Sequence, residues 1–268
     1  MTDFIYLLYE LNGNVATITL NRPKQQNALN ETLSNEIMCA LQQARDDDTV
    51  RAIVLTGAGK RFCVGADLIE TGISDISDPE KVADNVYNMV MTISKPTVEL
   101  LREIEKPVIG AINGATAGMG VALALACDVR VMSEESYLML AFSNIGLVPD
   151  GGSTWFFVRQ LGYSLAFEYA IEATRITASR CLELGLTNRV VPNDVLLSSA
   201  QEWATHLAQR PTFAIALTKQ ALNYAANHSL SHAIEHEVEL QKLALMSQDH
   251  HEGITAFFEK RKPVFKGK

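Results

Sequence analysis

Two glycine-rich turns bracket the part of this 268-residue chain best equipped for chemistry. The first, Asn113-Gly114-Ala115-Thr116-Ala117-Gly118-Met119-Gly120, opens into the Ala/Leu run 121–126. Glycine at this spacing lets backbone approach a neighbour closely. A helix begun here leaves its first amide N–H groups without intrahelical partners, at the positive end of its dipole. Such a helix start can hold an oxygen on which negative charge develops. The second turn, Pro149-Asp150-Gly151-Gly152-Ser153-Thr154, carries one acid, Asp150. Among Leu147, Val148, Pro149, Trp155 and Phe156, that carboxyl is expected to titrate high, which suits a base that returns its proton. Asp before Gly-Gly-Ser-Thr is equally a good turn or helix-cap residue. A third stretch, Gly65-Ala66-Asp67, offers another backbone N–H that could face the first turn.

These turns need a scaffold. Residues 4–10 and 15–20 are β-rich runs joined by Asn12-Gly13-Asn14, a hairpin signal. Asn30 is a fitting N-cap for a helix to about residue 46, with Leu33, Ile37, Met38 and Leu41 on one face. Residues 51–56 read as a buried strand of a parallel layer. Residues 69–80 are polar and loop-like, and 80–105 are helical with a disturbance at Pro96. Strand 107–112, helix 118–127 and strand 128–132 suit a right-handed crossover, and 136–142 is another strand-like run. Helices follow at 154–161, 164–173 and 178–184, with an extended link at 188–191. From 194 the pattern is helical, broken at Arg210-Pro211. The expected fold class is α/β, with a layered β core over residues 1–200 and a helical region over 201–268.

Composition narrows the function. A net charge of −8 argues against nucleic acid as a partner. No apolar run reaches the roughly 18 residues of a membrane span, and the start of the chain lacks a signal-peptide pattern, so a cytoplasmic protein is expected. Cys39, Cys63, Cys127 and Cys181 show no close pairing and read as small apolar fillers in a reducing compartment. Gly57-Ala58-Gly59-Lys60 after a strand imitates a phosphate loop. Val54 and Arg61, however, stand where that motif needs Gly and a magnesium-binding Ser or Thr. His232-Ala233-Ile234-Glu235-His236 imitates a zinc motif without an evident third ligand, and reads instead as one polar helix face. No metal is expected.

Asn21-Arg22-Pro23, Asn27-Ala28-Leu29, residues 62–68 (FCVGADL), Lys106-Pro107-Val108-Ile109, the 113–120 turn, Ala126-Cys127-Asp128 and Pro149-Asp150-Gly151-Gly152 occur in an order that resembles the enoyl-CoA hydratase/isomerase (crotonase) superfamily. The likeness runs on to residues 257–262 (FFEKRK). It implies a spiral of ββα units, a C-terminal helical region used in trimer or hexamer assembly, and an acyl-CoA thioester substrate with no separate cofactor. By position, the N–H groups of Ala66 and Met119 would be the oxyanion-hole donors. Arg22, Ala28, Asp67 and Leu68 would line the CoA path, joined by Phe257 and Lys260 from a neighbouring subunit. Hydratases of this family use two glutamates, whose positions here hold Ala122 and Phe142. Asp150 stands where Asp-dependent enoyl-CoA isomerases and ring-epoxide isomerases carry a functional Asp. The resemblance therefore implies isomerisation with Asp150 as proton shuttle. A hydratase using another acid, such as Glu70 or Glu99, and a non-catalytic acyl-CoA binder are the alternatives.

Overall fold

The computed structural model describes residues 4–74 and 77–268, so part of the loop expected at 69–80 lies outside the described residues. Strands β1 (Leu7–Asn12) and β2 (Val15–Leu20) form the expected antiparallel hairpin. Asn30 caps α1 (Glu31–Asp46), its side-chain oxygen accepting the Leu33 N–H at 2.9 Å. The chain then winds as a spiral. Strands β3 (Ala52–Gly57), β5 (Val108–Ile112), β7 (Val129–Ser133) and β10 (Arg189–Val191) add in parallel to the hairpin, giving the sheet order β1-β2-β3-β5-β7-β10. After each of the first three, the chain turns into a short strand of a second sheet. These strands are β4 (Arg61–Cys63), β6 (Ala115–Ala117) and β8 (Tyr137–Met139), with β9 (Ile176–Thr177) closing the order β4-β6-β8-β9. This is the spiral of ββα units implied by the resemblance.

Strand periodicity divides the interior in two. Ile53 and Leu55 of β3, with Val108 and Ile112 of β5, join a core shared with α1 and with α4 (Met119–Ala126). Ala52, Val54, Ile109 and Ala111 point the opposite way, against Ala200, Ala204 and Ala208 of α8 (Leu196–Ala208). Side chains alternate across the sheet, and helices cover both faces, as buried parallel strands require. The division expected after residue 200 falls inside α8, whose small residues pack on the main sheet. Beyond it come α9 (Thr212–Ala225), α10 (Leu230–Leu245) and α11 (Gln248–Glu259), with the break at Pro211 as expected.

One sequence expectation is borne out with its disturbance located, and two are corrected. The 80–105 helix is α2 (Pro79–Met89), a π-turn at Val90–Ser94, and α3 (Lys95–Glu103), with Pro96 in the first turn of α3. Proline has no N–H to give to the preceding turn, and the wider turn absorbs that loss. The 113–120 turn contains β6, too short for a periodic signal. The strand expected to 142 stops at Met139, where a 3₁₀ turn, Ala141–Ile145, takes over. Helices α5 (Ser153–Leu161), α6 (Tyr163–Glu172) and α7 (Ala178–Glu183) match their expected positions. Among the described residues, no helix is long and apolar enough to cross a membrane.

Candidate active site

Met119 is the first residue of α4, so its N–H has no partner within the helix. Gly118, immediately before it, has φ +53° and ψ −130°, a conformation open in practice only to glycine. That kink ends β6 and turns the chain into the helix, aiming the first N–H outward. Ala66 arrives from the other side through a single parallel bridge to Leu29. The bridge is made by its neighbours: Leu29 N–H donates to the Gly65 carbonyl at 2.8 Å, and Asp67 N–H to the Leu29 carbonyl at 2.9 Å. The Ala66 N–H is left out of that pairing. The two segments nearly touch, since a methyl built on Gly65 would lie 3.4 Å from the Met119 nitrogen.

Both segments line one cavity of about 400 Å³, together with Phe142, Leu147 and Asp150. The Asp150 side chain does not cap α5. Gly152 is the N-cap, with no side-chain bond, and it is the main-chain carbonyl of Asp150 that accepts from Ser153 N–H and Oγ, at 3.0 and 2.7 Å. Oδ1 of the carboxyl is buried and has no hydrogen-bond partner. Burial raises the Asp150 pKa, only partly offset by its own backbone N–H. An unpaired buried carboxylate oxygen is expensive to keep, so its retention beside the two N–H groups points to chemistry.

The loop bearing Asp150 sits directly on α4. Gly151 has φ +60°, and a Cβ there would overlap the Met119 sulfur and come within 3.3 Å of the Ala122 Cβ. Ala122 is completely buried beneath this contact and does not reach the cavity. Phe142 reaches the cavity wall and covers Gly118, its ring 3.8 Å from where a Cβ would stand.

The residues assigned to the CoA path divide into two groups. Arg22, Ala28 and Asp67 form one cluster: Arg22 Nη1 donates to the Ala28 carbonyl at 2.6 Å and to Asp67 Oδ2 at 3.1 Å. Arg22 Nη2 pairs with Glu70 at 2.5 Å, and the Arg22 Cζ lies 4.9 Å from the Tyr6 ring centroid. Arg22 is buried and engaged with two carboxylates, so it braces the 66–70 loop instead of standing free as a cation. Asp67 accepts the Ile69 and Glu70 N–H groups, and with Arg22 these bonds outweigh burial and lower its pKa. Leu68 lines the cavity. Phe257 is 75% exposed on α11, Lys260 caps that helix in a left-handed conformation, and neither lines the cavity within one chain.

The alternative acids are occupied. Glu70 is held by Arg22 and, at 2.5 Å, by Asn30; Glu99 pairs with Lys95 at 2.8 Å, outside this cavity. The His236 ring stacks on Tyr224 at 4.2 Å. The Cys63 thiol is pushed up to about 12 by complete burial, which leaves it inert. Sequence reasoning missed the cavity wall contributed by Met89, Val90 and Ser94. The π-turn shifts the helical period there, so no amphipathic pattern could have flagged them.

The chain is similar to known proteins along its length. The family model described as enoyl-CoA hydratase/isomerase matches residues 10–268. The 1,2-epoxyphenylacetyl-CoA isomerase of Escherichia coli (strain K12) is 38% identical over 263 residues, 98% of this chain and 99% of that protein. The 2,3-dehydroadipyl-CoA hydratase of the same organism is 33% identical, over 98% and 99%. A crystal structure of an enoyl-CoA hydratase from Bacillus anthracis superposes with a TM-score of 0.91 at 32% identity, covering 98% of this chain and 100% of that one. The chain belongs to the enoyl-CoA hydratase/isomerase family.

Proposed function

We propose that this protein is an acyl-CoA isomerase in which Asp150 moves one proton between two carbons of the substrate. The Asp150 carboxylate takes a proton from the carbon next to the thioester carbonyl. The electron pair moves onto the thioester oxygen, where the Ala66 and Met119 N–H groups stabilise the enolate. As the enolate collapses, a 3,4 double bond becomes a 2,3 double bond, and the protonated Asp150 returns its proton to carbon 4. Atoms and charge balance without water. A carboxyl held high by burial suits both halves of the cycle.

The observation that carries this reading is the buried, unpartnered Oδ1 of Asp150 in the cavity shared with Ala66 and Met119. Ala122 and Phe142 offer no carboxylates for a two-acid addition of water. The 38% identity to a ring-epoxide isomerase supports a ring-bearing acyl-CoA as a substrate beside the linear 3-enoyl-CoA. Exposed apolar residues on α10 and α11, among them Leu230, Val238, Phe257 and Phe258, support assembly as a homotrimer or hexamer. The test is a panel of 3-enoyl, 2-enoyl and 1,2-epoxyphenylacetyl-CoA followed by chromatographic separation and mass spectrometry. A product isobaric with its substrate is expected. Water adducts from the 2-enoyl-CoA alone would overturn the isomerase reading.

A further inference from the structure

Among the described residues, four polar side chains interrupt the apolar wall of the Asp150 cavity: Ser34, Ser94, Asn144 and Asp150. Asn144 is exposed. Ser34 on α1 and Ser94 at the end of the π-turn are each only 8% exposed, and they reach the cavity from two different elements. Neither hydroxyl makes a hydrogen bond within the described residues, yet neither oxygen is sealed from accessible space. Serine and threonine in helices commonly bond back to the carbonyl four residues earlier. Thr92 and Thr97 do so, donating to the Asn88 and Ile93 carbonyls at 2.7 and 2.8 Å. Between them Ser94 does not: the Val90 carbonyl accepts the Lys95 N–H across the π-turn. The Asn30 carbonyl likewise takes the Ser34 N–H, at 3.0 Å, and not the Ser34 hydroxyl.

We infer that the Ser34 and Ser94 hydroxyls determine specificity by receiving an uncharged oxygen carried on the acyl group. The inference rests on the acyl-CoA reading of this cavity and adds the substrate class: thioesters of acids that bear a hydroxyl or a ring oxygen. Small-molecule cavities orient their ligands through a few placed polar groups in an apolar wall. Val86, Met89 and Val90 make the wall before Ser94 apolar, so its hydroxyl marks one defined place for oxygen. A serine hydroxyl both donates and accepts, and so matches an alcohol or an ether oxygen. A hydrocarbon group in the same place would displace water from the hydroxyls and leave them unpaired, which costs affinity. A carboxylate is a poor match. Among the described residues no Lys, Arg or His lines the cavity, and Asp150 shares it.

The test uses phenylacetyl-CoA and its 3-hydroxy, 4-hydroxy and 4-carboxy derivatives, none of which has an alkene to shift, with affinities measured by calorimetry. In the wild type a hydroxy derivative should bind roughly three- to tenfold more tightly than phenylacetyl-CoA, the return from one or two added hydrogen bonds. The carboxy derivative should bind more weakly than the parent. The variant is Ser34→Ala with Ser94→Ala, two small changes to a good helix former. In it the hydroxy derivative should lose its advantage, while phenylacetyl-CoA binds as well as before or better, because no hydroxyl is stripped of water. General damage to the fold would weaken both ligands together. A hydroxyl preference that is absent from the wild type, or unchanged in the double variant, would overturn the inference. A parallel loss for all four ligands would also overturn it, because that pattern places the serines on the CoA portion they share. Since none of the ligands isomerises, each of these results leaves Asp150 catalysis standing. Absence of binding by every thioester would overturn the acyl-CoA reading, and this inference with it.

Discussion

Replacing Asp150 with Asn should cost activity while adding stability. The two changes have one cause. Asn is nearly isosteric and leaves the bonds that Ser153 N–H and Oγ donate to the residue-150 carbonyl untouched. It removes the group proposed to accept and return the proton, a contribution of roughly 10²- to 10⁴-fold for general acid–base catalysis, or about 3–5 kcal/mol of barrier. It also removes a carboxylate whose Oδ1 is buried without a partner. Relief of that penalty, on the order of 1 kcal/mol because the side chain is only partly enclosed, should raise Tm by roughly 2–4 °C in a chain of this size.

The pH dependence fixes the sign. The folded-state pKa of Asp150 is raised by burial, whereas an unfolded Asp titrates near ~3.9. Below that value both states are protonated and the variant gains nothing. As pH rises, the unfolded chain releases its proton first, so the wild type loses stability until the folded carboxyl has also ionised. The advantage of Asp150→Asn should therefore be absent at about pH 3.5 and present at neutral pH. The assays are 3-enoyl-CoA isomerisation, followed by the absorbance of the conjugated enoyl thioester that forms, and calorimetric melts across pH. Activity within about threefold of wild type would remove Asp150 from the mechanism. A capping side chain predicts a further contrary result, a loss of about 1 kcal/mol in Asp150→Ala.

Other substitutions test the surrounding structure. Met119→Pro should delete one proposed oxyanion donor while keeping the helix, because the first helical position tolerates proline; kcat should fall roughly 10²- to 10³-fold, against a few-fold for Met119→Leu. Lys219→Met should lower stability by about 2–4 kcal/mol in urea titrations. It strands Asp128, which Lys219 holds at 2.9 Å, and the Leu101 carbonyl that it also caps. Gly151→Ala should reduce kcat/KM and stability together, by at least about 1 kcal/mol, since its Cβ would displace Met119 at a positive φ. Ala122→Glu should yield no hydration product by mass spectrometry and should cost about 1–3 kcal/mol for overpacking.

The fold was legible where local chemistry is strong. Asn30 announced α1, the Asn12-Gly13-Asn14 turn announced the hairpin, and the alternation in β3 and β5 follows from strands buried on both faces. Of the second sheet only β8 was legible, inside the strand expected over 136–142; β4 and β6 span three residues each, and a period of two cannot declare itself in so short a run. Long-range pairing, not propensity, makes them strands. The same limit hid the cavity wall at Val90, where the π-turn changes the period. For Asp150, the sequence left capping and catalysis both open. The difference lay in whether the carbonyl or the carboxyl meets Ser153, and only coordinates carry that.

The missing glutamates and the seat of the Asp150 loop are one packing arrangement. Gly151 rests on Met119 and Ala122 with no space for a Cβ, and Ala122 is sealed beneath it. A longer side chain at 122 would press on the loop at Gly151, so this loop position disfavours a first carboxylate there. Phe142 closes the second place by covering Gly118 from the cavity side. Restoring both carboxylates would therefore require lifting the loop, and lifting the loop would withdraw Asp150. The same contact supports the Met119 segment from behind, so the candidate oxyanion donor and the candidate base are positioned through a single interface. A reaction needing one acid and no water suits that interface, because adding a second acid would dismantle the first.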